Sequence, residues 1–144
     1  MKLYVIRHGN TDSNRLDIYN GKLLNEDIND IGIKQAQEAS KKIKNLNLDL
    51  IICSPLLRTR HTCDIINSNK IKVIYDDRIE ERNCGVLTNT KIDNFYYTEY
   101  WNYYSKVKID NLETVPELFK RVNSFLDEIK KKYSGQNILL VTHG

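Results

Sequence analysis

Arginine and histidine side chains that could handle a phosphoryl group occur just after three apolar runs of the 144-residue chain. A guanidinium fork matches the oxygens of a phosphate, and a neutral imidazole nitrogen can attack phosphorus and carry the group covalently. A second imidazole could stabilise the charge on the phosphoryl oxygens. The four side chains are Arg7 and His8 after the first run, Arg58 after the second, and His143 after the last.

Of the two imidazoles, His8 is the predicted nucleophile and His143 the predicted charge-stabilising group. Gly9 lets the backbone turn behind His8 and leaves its own carbonyl free to orient the ring. A departing alkoxide also needs a proton, and Glu81, which comes after the third apolar run, is the leading candidate for that acid. Arg60, His61 and Arg82 are expected to lie on the surface or behind the site, although Arg82 could also face the substrate.

Four apolar runs alternate with helical patterns, which indicates a parallel α/β sheet. They cover residues 3–6, 48–53, 71–75 and 138–141, and the second and fourth are apolar nearly throughout, as in strands covered on both faces. Because the carboxyl ends of parallel strands share one rim of a sheet, the arginines and histidines should meet there.

Capping signals predict where three helices begin. Asn29 can cap the first of them. Ser54 and Pro55 form an N-cap and first-turn pair for the second, and Thr114 and Glu117 form a capping box for the third.

Residues 89–111 are less regular and rich in aromatic side chains. Two roles are open for these rings: packing in the core, or forming a lid over the strand ends. The rings belong to Phe95, Tyr96, Tyr97, Tyr100, Trp101, Tyr103 and Tyr104.

Composition and charge exclude several functional classes. The net charge of +3 is spread along the chain, which argues against a nucleic-acid-binding stripe. No apolar run approaches a membrane span and the N-terminus is not a signal peptide, so a cytoplasmic location is expected. The three cysteines, Cys53, Cys63 and Cys84, suggest neither a disulfide framework nor a zinc site. No arginine lies six positions after any of them, which excludes a cysteine-based phosphatase loop.

The motifs at the strand ends resemble those of the histidine phosphatase (phosphoglycerate mutase-like) superfamily. They occur in the family's order along the whole chain: RHGNT at 7–11 with Asn14, SPLLRT at 54–59 with Thr62, RIEE at 78–81 with Gly85, and VTHG at 141–144. The resemblance implies a three-layer α/β/α fold with a mainly parallel central sheet, in a single domain over residues 1–144.

The same resemblance implies a role for each matching residue. His8 matches the phosphorylated nucleophile and Glu81 the proton donor, while Arg7, Asn14, Arg58 and His143 match the phosphate pocket. No metal or other cofactor is implied, and Thr11 and Gly21 lie where the family's active-site loop runs. Asn89 replaces a glycine that is usual in the family, and asparagine tolerates the same left-handed backbone.

The expected function is metal-independent hydrolysis of a small phosphomonoester through a phosphohistidine on His8, as in phosphatases of the histidine acid phosphatase type. The runner-up is a mutase of the phosphoglycerate type. Such mutases carry paired arginines after a tryptophan, whereas Trp101 is followed by Asn102 and Tyr103.

A third hypothesis concerns the end of the sequence. Family members continue past the final HG motif with a further glycine and a helix, whereas this sequence ends at Gly144. The expected domain therefore lacks that segment, and one sheet face should be bare. A phosphate-binding or interaction domain without turnover is the alternative this suggests, and pairing of two copies is one way to cover the face. Nucleic acid and membrane are not expected partners.

Overall fold

Four parallel strands form the central sheet in a computed structural model, which describes the backbone of residues 1–144 and all side chains except those of Phe95 and Tyr96. The strand order is β1-β4-β2-β3, so the first and last strands of the chain are hydrogen-bonded neighbours. The strands are β1 (Lys2–Arg7), β2 (Leu50–Cys53), β3 (Val73–Tyr75) and β4 (Asn137–Thr142).

Five helices connect or flank these strands. Two predicted caps are confirmed: Asn29 Oδ1 accepts from the backbone amides of Ile31 and Gly32, and Thr114 forms the capping box with Glu117. The helices are α1 (Asp12–Arg15), α2 (Asp30–Ile43), α3 (Leu57–Ile66), α4 (Asn94–Tyr100) and α5 (Val115–Lys132), with short 3-10 turns at Asp77–Ile79 and Gly85–Leu87.

Both faces of the sheet carry a hydrophobic core, which confirms the predicted three-layer α/β/α fold. On one face, Ile51 and Val141 pack with Cys63 of α3 and Ala36 of α2. On the other, residues of β2 and β4 pack against α5, whose Phe125 is completely buried. Alternate residues of the central strands serve the two cores, which explains their continuous apolar sequence.

The predicted cap of α3 is wrong. The helix begins at Leu57 after Leu56, whose backbone is extended and whose side chain makes no capping hydrogen bond. The Ser54 hydroxyl is instead hydrogen-bonded to the imidazole of His143. The side chain of Ser54 therefore does not cap the helix, because it is hydrogen-bonded to a residue far away in sequence.

The aromatic segment divides between the two predicted roles. Tyr100 is buried with Tyr19 and Cys84 in a third, smaller core. Trp101 and Tyr97 stay partly exposed and line a cleft at the carboxyl edge of the sheet. The side chains of Phe95 and Tyr96 lie outside the described residues.

Asn89 has the predicted left-handed backbone, with φ of 65°.

The sheet face beside α5 is open over β1, where Val5 is 63% exposed and a groove of about 260 Å³ lies against Leu118 and Val122. None of the helices in the described chain is long and apolar enough to cross a membrane.

Candidate active site

The carboxyl ends of β1, β4 and β2 bring the predicted site residues together. The backbone amide of His8 donates to the carbonyl of Thr142 at 3.0 Å, and that of Ser54 donates to Val141 at 2.9 Å. The ring centroids of His8 and His143 are consequently 5.2 Å apart. Sheet hydrogen bonds therefore fix the spacing of the two imidazoles.

One tautomer of His8 is selected by its own neighbour in the chain. The Nδ1 atom lies 2.7 Å from the carbonyl oxygen of Gly9, and since a carbonyl only accepts, Nδ1 carries the proton. Burial, together with the charges of Arg58 and Arg7, lowers the pKa of His8 to about 4, although the bond to Gly9 acts in the opposite direction. At neutral pH the ring is uncharged, and the lone pair is on Nε2.

Gly9 is held by contacts that leave no room for a side chain. A Cβ atom on Gly9 would lie 2.6 Å from the carbonyl oxygen of Gly32, and one on Gly32 would lie 2.3 Å from that of Asn10. The amide of Gly9 also donates to Thr62 Oγ1 of α3 at 3.0 Å. Close approach of two backbones, with φ of Gly9 outside the left-handed region, is therefore what requires a glycine here.

His143 is buried and neutral. Its side chain is 4% exposed, and its Nε2 lies 2.9 Å from the hydroxyl of Ser54. Burial, followed by the charges of Arg58, His8 and Arg7, lowers the pKa of His143 to about 2. Its Nδ1 atom is buried without a hydrogen-bond partner among the described residues. The second imidazole is thus a neutral polar group with one unused nitrogen.

Glu81 lies beside that nitrogen, with Oε2 3.9 Å from His143 Nδ1. Because the imidazole is uncharged, the two do not form an ion pair. Burial raises the pKa of Glu81 above its ordinary value, against the backbone hydrogen bond from Arg82 and the charges of Arg58 and Arg7. A carboxyl group with a raised pKa is a suitable proton donor.

Arg58 is fully buried, and each of its terminal nitrogens makes one hydrogen bond to a backbone carbonyl. Nη1 donates to the carbonyl of Leu24 at 3.1 Å and Nη2 to that of Gly21 at 2.9 Å, so Arg58 supports the loop that carries both. Its Nε is buried without an acceptor in the described part of the chain. The Nε–H, together with the second N–H of each terminal nitrogen, therefore remains available for a ligand.

Arg7 and Asn14 line a cleft of about 250 Å³ together with Gly21 and Glu81. Arg7 is exposed, and its guanidinium lies against Gly144, where an added Cβ would be 3.2 Å from Nε. The side-chain oxygen Oδ1 of Asn14 accepts from the backbone amide of Thr11, the N-cap of α1. The side-chain nitrogen Nδ2 of Asn14 has no hydrogen-bond partner among the described residues. We call Arg7, His8, Arg58, Glu81 and His143 the phosphate end, of which Arg7 and Glu81 line this cleft.

The other basic residues that the sequence pointed out lie outside the phosphate end. His61 is paired with Asp27 at 2.9 Å, and Arg60 is exposed over the ring of Tyr75. Arg82 is only 1% exposed and lies behind the cleft, not facing it. Its guanidinium donates to the carbonyls of Tyr100 and Glu113.

Three residues around the site were missed by sequence reasoning. Thr62 was noticed only as part of a motif, and Gly32 not at all, because a close backbone contact leaves no trace in composition or periodicity. Tyr19, buried at the cleft with its hydroxyl unpartnered in the described part of the chain, carries no motif that could have revealed it. For the other site residues, the RHGNT, SPLLRT, RIEE and VTHG motifs were the usable signals.

Comparisons with known proteins identify the family of this chain. Residues 3–144 match the family model of the histidine phosphatase superfamily (branch 1). The chain is 30% identical to phosphoserine phosphatase 1 of Hydrogenobacter thermophilus, an alignment that covers 99% of this chain and 71% of that protein. It is 32% identical to a Yersinia pestis protein named "Probable phosphoglycerate mutase GpmB", with 100% of this chain and 70% of the relative covered.

Solved structures share the fold. The α-ribazole phosphatase of Shigella flexneri superimposes with a TM-score of 0.81 at 27% identity, over 99% of this chain and 74% of the other. Bacillus stearothermophilus YhfR reaches a TM-score of 0.86 at 23% identity, over 99% of this chain and 73% of the other. Similarity over nearly the whole chain, together with the motifs at the strand ends, means that the chain belongs to the histidine phosphatase superfamily.

Proposed function

We propose that this chain hydrolyses phosphomonoesters through a phosphohistidine on His8. The observation that carries the proposal is the Nδ1–H hydrogen bond from His8 to the Gly9 carbonyl at 2.7 Å. It leaves Nε2 as the nitrogen with the lone pair, and the low pKa of about 4 keeps that lone pair free at neutral pH. A neutral, oriented imidazole is what nucleophilic attack on phosphorus needs.

In the first step, the lone pair of His8 Nε2 forms a bond to phosphorus as the bond from phosphorus to the ester oxygen breaks. Glu81, in the protonated form that its raised pKa favours, gives its proton to that oxygen, and the alcohol leaves. The phosphorylated ring carries a positive charge, which the Gly9 carbonyl on Nδ1–H stabilises.

In the second step, the Glu81 carboxylate takes a proton from water while the water oxygen attacks phosphorus. The bond from phosphorus to Nε2 breaks, inorganic phosphate leaves, and His8 returns to its neutral form. Each group thereby ends in its starting protonation state, with Glu81 acting first as acid and then as base.

The remaining residues of the site hold the phosphoryl oxygens. Arg58 Nε is a buried donor without an acceptor among the described residues, and a phosphoryl oxygen would satisfy it. Arg7 supplies a second guanidinium at the cleft and Asn14 an amide donor. Two arginines provide the charge neutralisation that a divalent cation provides in other phosphoryl-transfer sites, which is why we propose a metal-independent reaction.

Phosphate release from 4-nitrophenyl phosphate in the presence of EDTA tests this proposal. The wild-type chain should turn over, and His8→Ala should lose activity by at least about 10³-fold, since removing a nucleophile removes the whole covalent route. His61→Ala is the matched control, because His61 is paired with Asp27 outside the phosphate end. Rapid acid-free quenching should also reveal a phosphoryl adduct on His8 by peptide mass spectrometry.

Activity that persists in His8→Ala would contradict the proposed nucleophile.

A mutase is the second candidate, favoured by the relative named as a phosphoglycerate mutase. It predicts that labelled phosphoryl groups pass from the adduct to an added alcohol and not to water, which the label in released inorganic phosphate distinguishes.

A further inference from the structure

Beside the phosphate end, the cleft is lined by aromatic and aliphatic side chains, which we call the aromatic wall. Two of its rings, Tyr97 and Trp101, are 49% and 42% exposed, a large fraction for such side chains. The wall consists of Ile18, Tyr19, Ile92, Tyr97, Tyr100 and Trp101.

The wall is fixed from behind by Arg82. The guanidinium carbon of Arg82 lies 3.9 Å from the ring centroid of Tyr100 and 5.1 Å from that of Trp101. Tyr100 in turn packs edge-on against Trp101, with centroids 5.0 Å apart, and against Tyr19 at 5.2 Å. These ring contacts hold an apolar surface in place next to the site of phosphoryl transfer.

A negatively charged leaving group would find no exposed cation at the aromatic wall. The guanidinium of Arg82 lies behind the rings and donates to backbone carbonyls. Within the described residues that line the cleft, Arg7 is the one cation, and it belongs to the phosphate end. The nearby Lys22 is paired with Glu80 at 3.7 Å, and Lys91 donates to the backbone carbonyl of Leu16. A second anionic group would therefore be desolvated without compensation.

The unused polar atoms next to the wall are neutral. The hydroxyl of Tyr19 and Oδ1 of Asn20 are both buried, and neither has a partner among the described residues. A neutral leaving group can be accommodated beside them, whereas a carboxylate would face the Asn20 oxygen as well as the Glu81 carboxyl group.

We infer that the natural substrate is a phosphomonoester of an uncharged alcohol that carries a flat apolar ring, which packs on Trp101 and Tyr97 while the phosphoryl group lies at the phosphate end. This inference rests on the proposed function and goes beyond it by excluding leaving groups with a second anion, phosphoserine and phosphoglycerate among them. Stacking on exposed rings provides the selectivity, since flat groups bury both surfaces.

Three primary-alkyl phosphates test the inference, because their alcohols leave with similar intrinsic difficulty. Benzyl phosphate presents a ring, glycerol 3-phosphate presents neither ring nor charge, and O-phosphoserine presents a carboxylate together with an ammonium group. The kcat/KM for benzyl phosphate should exceed that for phosphoserine by about tenfold or more. Glycerol 3-phosphate should fall between the two.

Variants of the wall separate a ring contact from a general effect. Trp101→Ala should lower kcat/KM for benzyl phosphate by about three- to tenfold more than it lowers kcat/KM for glycerol 3-phosphate. Tyr104→Ala is the matched control, because Tyr104 is 84% exposed and does not line the cleft. Ile92→Lys places a cation on the wall and should raise the relative rate on phosphoserine.

Binding provides a readout that needs no turnover. Calorimetry should show benzylphosphonate binding at least about tenfold more tightly than 2-carboxyethylphosphonate, which has a carboxylate where the other has a ring. Equal or tighter binding of the carboxylate, or faster turnover of phosphoserine that still depends on His8, would overturn the inference and leave the proposed function standing. If neither phosphonate binds and no ester turns over, the inference fails together with the proposed function.

Discussion

The phosphate end and the aromatic wall share one cleft but are built from different kinds of structure. His8 and His143 follow neighbouring strands, and hydrogen bonds along the sheet fix their separation. The wall comes from α4 and from irregular segments, and its Tyr100 and Trp101 pack on one buried side chain, Arg82. The sheet therefore fixes the positions of the reacting groups, while the connecting segments determine which substrate binds beside them.

The strongest prediction concerns the proton donor of the phosphate end. It tests the chemical step and not the choice of substrate. Glu81→Gln should lower kcat for an alkyl phosphate by about 10²- to 10⁴-fold, because an alkoxide cannot leave without a proton. With 4-nitrophenyl phosphate the loss should be much smaller, since nitrophenolate leaves unprotonated. Glu80→Gln is the neighbouring control. Equal losses on both esters would contradict the role of Glu81 as an acid.

The pH dependence of kcat/KM sharpens the same assignment. His8 must be deprotonated to attack, so activity should rise with pH through about 4. Glu81 must be protonated to donate, so activity should fall again above its raised pKa, which gives an acidic optimum. Glu81→Gln should lose the descending limb when measured on the same substrate. An unchanged descending limb would assign that limb to another group.

Arg82→Met should damage the wall and spare the phosphate end. Methionine fills much of the space but leaves the carbonyls of Tyr100 and Glu113 without their donor, which should lower the free energy of unfolding by about 2–4 kcal/mol. Urea denaturation measures that loss, and Arg60→Met is the exposed control. The ratio of kcat/KM for benzyl phosphate to that for glycerol 3-phosphate should fall. A preserved ratio would mean that the wall does not depend on Arg82.

Ser54→Ala should lower kcat by the same factor for all leaving groups. The substitution removes the hydrogen bond to Nε2 of His143 and leaves a buried imidazole less well oriented, with kcat lowered by about tenfold. Ser68→Ala is the exposed control. A loss that differs between benzyl phosphate and glycerol 3-phosphate would show that the two ends of the cleft are coupled.

The smallest effect concerns the loop that adjoins the wall. Asn89 has a φ of 65°, and its amide donates to the carbonyl of Tyr19 at 2.8 Å. Asn89→Ala should lower the free energy of unfolding by about 1 kcal/mol, whereas Asn89→Gly should be close to neutral. Thermal unfolding of the two variants measures the difference. If alanine costs no more than glycine, left-handed strain does not explain this position.

The sequence predicted the parts of the molecule that depend on local patterns. Apolar runs located the four strands, the Asn29 cap and the Thr114–Glu117 capping box followed from side-chain chemistry, and the left-handed Asn89 followed from the family resemblance. Ser54 was assigned wrongly because a serine before a proline is a local signal, whereas its partner His143 is 89 residues away. The sequence left open whether Arg82 lies on the surface, behind the site or facing the substrate, since its acceptors are backbone carbonyls, which have no sequence signature.

The contact between Gly9 and Gly32 has a consequence for anyone who redesigns this scaffold. No side chain separates the start of α2 from the loop behind the nucleophile, so neither position can accept a larger residue unless the opposite backbone retreats. Retreat would carry the carbonyl of Gly9 away from Nδ1 of His8. Mutant libraries aimed at new substrates should therefore keep both glycines constant and place their diversity at Ile92, Tyr97 and Trp101, which are exposed and line the cleft.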